Sequence, residues 1–82
     1  MSLKDLIKEV IERGIYYEDA LILKSLAEKL HFIENGGDCG VIEALEVGTL
    51  LGSLRNRLLY DEYIKLENLV LDIIEKSLLR KK

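Results

Sequence analysis

Hydrophobic residues recur along this chain at helical spacing in four stretches, and the polar residues between them mark where each stretch stops. Leu3, Leu6, Ile7, Val10 and Ile11 share one face, with Lys4, Lys8, Glu9 and Glu12 opposite. That spacing predicts an amphipathic helix over Leu3–Arg13. Ser2 stands at its N-cap with Asp5 three residues on, and Gly14 suits the left-handed position that closes a helix. A second helix is predicted over Tyr17–Glu34. Glu18 and Asp19 sit in its first turn, where the helix dipole favours anions. Ala20, Leu23, Ala27, Leu30 and Ile33 form its core stripe.

The run Asn35-Gly36-Gly37-Asp38-Cys39-Gly40 is the clearest loop in the chain. A third helix follows, from 39 or 40 to 58, with Val41, Ile42, Leu45, Leu50, Leu51, Leu54 and Leu58 as its apolar set. A fourth is predicted over 61–80. Its apolar residues cover more than half the circumference, the mark of a helix with more than one neighbour. No stretch alternates with period two, so no strand is predicted.

No Gly or Pro separates the third helix from the fourth. Composition alone permits one continuous helix of about 60 Å. An internal repeat places the break near Leu59-Tyr60. Ile15-Tyr16-Tyr17-Glu18-Asp19 is echoed by Leu58-Leu59-Tyr60-Asp61-Glu62, and Ile7, Ile11, Leu21, Leu23, Leu26 and Leu30 align with Leu50, Leu54, Ile64, Leu66, Leu69 and Ile73. The expected fold is therefore all-α, a single domain of two helical hairpins (units 3–34 and 41–80) in a four-helix array, completed by dimerisation.

The dimer is expected because 82 residues make a small core while 49% of them are hydrophobic. Ala44, Gly48 and Gly52 recur every four residues in the third helix. Each helix-interior glycine costs about 1 kcal/mol relative to Ala, and close approach of another backbone is a reason to keep two. The expected interface joins that ridge with Leu51, Leu69, Val70, Ile73 and Ile74.

Charge narrows the partners. The net charge is −3, with no global basic excess, so a dedicated nucleic-acid binder is not expected. No apolar run spans a bilayer, the first residues do not read as a signal peptide, and one Cys forms no internal disulfide. A cytoplasmic location is the expectation. Abundant charge of both signs and the absence of Gln resemble thermophile composition.

Candidate chemistry is sparse. Val10, Gly14, Ala20 and Leu23 match helix–turn–helix spacing, but Glu18 and Asp19 stand where phosphate contacts would fall, so a plain αα-hairpin is preferred. Arg55 and Arg57 are the compact basic pair outside the C-terminal tail, read either as an oxyanion site or as ion-pair partners of carboxylates such as Glu43, Asp61 or Glu62. His31 is expected half-buried or facing a partner. Cys39 is expected to pack inertly in the loop, which lacks the Lys-Ser/Thr of a phosphate-binding loop. No cofactor or metal is expected. Arg55 and Tyr60 echo the Arg-x4-His arrangement of HEPN-type ribonucleases, with tyrosine in place of histidine, and imply no membership.

Tyr16, Tyr17, Tyr60 and Tyr63 cluster at the two predicted turns. They read equally as a recognition patch, with Arg55 and Arg57 beside them, or as a seal on the end of the bundle. The favoured expectation is a non-enzymatic protein–protein interaction module, an adaptor or small accessory subunit. The alternatives are a nucleic-acid-binding regulator using an oligomeric basic face, and a small hydrolase or nuclease centred on Arg55, with His31 and Tyr60.

Overall fold

Four helices form, α1 (Leu3–Arg13), α2 (Tyr17–Glu34), α3 (Val41–Leu54) and α4 (Tyr60–Arg80), with only the third shorter than its periodicity predicts. The chain is described by a computed structural model over residues 2–80. Among the described residues there is no strand, and no helix is long and apolar enough to cross a membrane.

Each helix end has a local cause. The Ser2 hydroxyl accepts from the Asp5 N–H at 3.2 Å and opens α1. Gly14 closes it at φ +97°, donating to the carbonyls of Val10 and Ile11. A Cβ at that φ is strained. Gly14→Ala is expected to lower the melting temperature by about 5 °C, the thermal equivalent of roughly 1 kcal/mol in a domain this size. An unchanged melt would contradict the assigned cap.

α3 ends at Leu54, four residues earlier than its apolar pattern suggests. Arg57 and Leu58 both donate to the Leu54 carbonyl, so the chain makes one more turn without continuing the helix. Glu62 then starts α4. Its Oε1 accepts the Leu59 N–H at 3.0 Å, the carboxylate half of a capping box. The helix break is thus set by an acidic side chain three residues downstream, not by Gly or Pro.

Packing crosses the two sequence units. α3 rests chiefly on α2, and α1 lies more on α4 than on its own neighbour α2, while α2 and α4 pack together at the centre. The core draws on all four: Leu6 and Val10, then Leu23, Leu26, Leu30 and Ile33, then Val47 and Leu54, then Leu66, Val70 and Ile73, with Cys39 and Leu58 from the connections. The body measures 40 × 24 × 18 Å.

Two arginine–carboxylate pairs lock this exchange. Arg13 at the end of α1 grips Glu62 with two parallel bonds, Nε to Oε2 at 2.7 Å and Nη2 to Oε1 at 2.8 Å. Arg57, in the α3–α4 connection, reaches Asp19 at 2.6 Å. Asp19 and Glu62 are the aligned residues of the repeat, both in the first turn of a long helix and both buried. Each is held by an arginine from the other unit. The hydrogen bond from Arg13 lowers the Glu62 carboxyl below its ordinary range, with smaller contributions from the Leu59 N–H and the nearby cations, against the opposing effect of burial. The same bond raises Arg13. At the opposite end, the Arg80 guanidinium donates to the carbonyls of Ile33 and Glu34. α2 is therefore tied at both ends to side chains of the second unit.

Candidate functional site

The α3 sequence carries only two charged residues, Glu43 and Glu46. Both turn toward α2, where they line a groove with Ser25 and Phe32, and Glu46 pairs with Lys29. Val47 and Leu54 enter the core, with Leu50 and Leu51 half-buried beside them. What remains faces outward. Val41, Leu45, Gly48 and Gly52 fall at i, i+4, i+7 and i+11, a single stripe, with Ile42 and Thr49 on one flank and Ala44 on the other.

That stripe is uncharged and open. Val41 is 78% exposed, Ile42 68% and Leu45 66%. A Cβ added at Gly48 or Gly52 meets no atom within 4 Å. The intramolecular fold therefore gives no reason for glycine at either position. The stripe borders a groove of about 470 Å³ between α3 and α2, where Ile42, Leu45 and Leu50 provide apolar lining. With two charged residues, both turned toward α2, α3 is more apolar than its partial burial requires, and its outer side is uncovered.

The expected interface is divided by this geometry. Ala44, Gly48 and Gly52 lie exposed, as an interface ridge requires. Leu51, Leu69 and Ile74 are half-buried against the core. Val70 and Ile73 are 2% and 5% exposed, already enclosed by their own chain. Both belong to the core that α4 forms with the rest of its own chain.

The bundle end with the two arginine clasps collects the other expected group. Tyr16, Tyr17 and Tyr60 are exposed there, and Tyr63 is half-buried against the core. Arg57 is engaged by Asp19, a partner that sequence reasoning missed, and Glu62 belongs to Arg13 instead. The repeat held the signal, since it aligns Asp19 with Glu62. Arg55 is exposed and makes no ion pair among the described residues. A concavity of about 600 Å³ lies at this end, lined by Tyr16, Asn56 and both clasp arginines, but its buried carboxylates already neutralise those cations.

His31 is exposed, not half-buried, and its ring meets the Asn35 amide at 3.0 Å. It lies twelve residues past Asp19 on α2, roughly 18 Å along the axis. Arg55 and Tyr60 lie at the Asp19 end, so the three do not converge. Cys39 is buried among core residues. Among the described residues no group of three His, Cys, Asp or Glu is placed to hold a metal. A further groove of about 640 Å³ between α1, α2 and α4 has an apolar floor including Leu3, Ile7 and Leu69, with a rim of both charge signs.

The chain matches no protein-family model, no curated protein and no solved structure.

Proposed function

We propose that this protein is a non-enzymatic helical interaction module whose docking surface is the outer face of α3. The observation that carries the reading is the uncharged stripe from Val41 to Gly52, left open by a fold that covers the other side of the same helix. Burying Val41, Ile42 and Leu45 from their present exposure is worth on the order of 1–2 kcal/mol each, enough for a few such residues to decide an association. The flanking glycines let a partner backbone come closer than ordinary helix spacing.

Charge placement supports a protein partner over nucleic acid. Of the basic residues that an oligomeric face would use, Lys4, Lys8, Arg55, Arg57 and Arg80 are exposed, but Arg57 is neutralised by Asp19 and the chain as a whole carries a net charge of −3. Lys81 and Lys82 lie outside the described residues.

Leu45→Arg tests the reading. The side chain points outward, so the variant is expected to retain its helical circular dichroism while losing association at least tenfold. Leu71→Arg, on the exposed side of α4, is expected to leave association unchanged. Equal association of both variants, with host proteins and with copies of the chain, would overturn the assignment of α3.

A further inference from the structure

We infer that the partner of the α3 face is a second copy of this chain, packed antiparallel about a two-fold axis; this rests on the docking role assigned to that face. The stripe has a bulky half, Val41 and Leu45, and a bare half, Gly48 and Gly52. In an antiparallel pair whose axis passes between Leu45 and Gly48, Leu45 of each copy lies opposite Gly48 of the other. The same register sets Val41 opposite Gly52. Every large stripe residue then meets a glycine, and every glycine receives a side chain. A parallel pair would place Val41 on Val41 and leave Gly48 against Gly48. The match of large to small follows from the order of residues in one helix, and an unrelated partner would have no cause to mirror it.

Charge points the same way. Two copies of a chain with net charge −3 repel, so a contact between them is tolerated where no charge stands. The α3 stripe meets that condition. Antiparallel helix dipoles also align favourably. Val41, Ile42, Leu45 and the small residues between them offer on the order of 500 Å² per copy, about 1,000 Å² for the pair, where specific but weak association begins. The dimer is thus expected to form reversibly, with dissociation in the micromolar range.

Sedimentation equilibrium of the full chain tests the assembly, and disulfide trapping tests the register. The mass should rise from 9.4 kDa toward twice that value between about 1 µM and 1 mM. Gly48→Arg should remain monomeric throughout, with its helical spectrum and melt intact because no atom crowds that position. When Val41→Cys and Gly52→Cys chains of different mass are mixed and oxidised, the mixed disulfide should form. Val41→Cys alone should not dimerise covalently, because its two copies lie roughly 16 Å apart along the axis, beyond disulfide reach. Val41→Cys homodimers would replace the antiparallel register with a parallel one. A wild-type chain that stays at 9.4 kDa up to 1 mM overturns the second copy. The docking role of α3 would then still be judged separately by loss of host-protein capture in Leu45→Arg.

Discussion

Glu62→Ala is expected to destabilise the fold by about 2–3 kcal/mol at neutral pH. The carboxylate is buried, holds both arms of the Arg13 guanidinium and caps the Leu59 N–H. Its loss leaves a cation without its partner and a helix start without its cap, each a recognised route to instability. The figure sits below the full range for a broken buried pair because Arg13 is one-third exposed and solvent screens the exposed side. Asp19→Ala should cost less, since Arg57 is half exposed and its pair has a single short bond.

The pH dependence has a definite sign. The folded-state pKa of Glu62 is lowered from 4.5, with the Arg13 hydrogen bond as the largest cause. Its contribution is complete above the unfolded pKa and fades as pH falls through the lower folded value. Urea unfolding at pH 7 should separate wild type from Glu62→Ala clearly, and the gap should narrow as the pH drops below about 4. A gap that stays constant from pH 7 to pH 3 would show that the ionised pair contributes nothing.

Leu26→Ala is the larger loss, about 3–4 kcal/mol. Leu26 is fully buried at the middle of α2, the helix that touches all three others. Truncation removes the transfer energy and leaves a cavity that rigid neighbours fill only in part. A chain of this length has a total stability of about 4–12 kcal/mol, so the variant should sit near the edge of folding at 37 °C. Leu71→Ala, on an exposed position of α4, should change stability by less than about 0.5 kcal/mol. Equal urea midpoints for the two variants would contradict the assigned core.

The sequence was most readable where local chemistry decides structure. The bounds of α1 and α2 follow from Ser2, Gly14 and the acidic first turn at Glu18 and Asp19, all signals that act within four residues. The end of α3 was less readable. Leu54 and Leu58 keep helical spacing through the break, and the stop is imposed by Glu62 from beyond it. The cross-unit clasps were hidden for another reason. Periodicity places Arg13 at the end of α1 and Arg57 near the expected end of the third helix, but pairing with Glu62 or Asp19 depends on which helices meet. A repeat of two hairpins invites pairing within each unit. The packing goes between units instead.

The candidate site was half visible on similar grounds. Gly48, Gly52 and Ala44 stand out because glycine within a helix needs a cause, and they do lie on the open face. Val70 and Ile73 were assigned to the same surface because α4 is apolar over too wide an arc for one neighbour. The arc is real, but α1 and α2 of the same chain cover the part that holds Val70 and Ile73, while Leu71, Leu78 and Leu79 stay exposed. A wide apolar arc reports how many neighbours a helix has, not which chain they belong to. On α3 the same breadth has no internal neighbour to account for it.

The most direct measurement is solvent accessibility of individual methyl groups by NMR with a soluble paramagnetic agent, read at about 20 µM and at about 1 mM. At the higher concentration the Val41, Ile42 and Leu45 methyls should become shielded, while those of Leu71 and Leu78 stay as bleached as before. Methyls of Val41, Ile42 and Leu45 that remain equally accessible at both concentrations, in a chain that also captures no partner, would contradict α3 as the surface through which this protein acts.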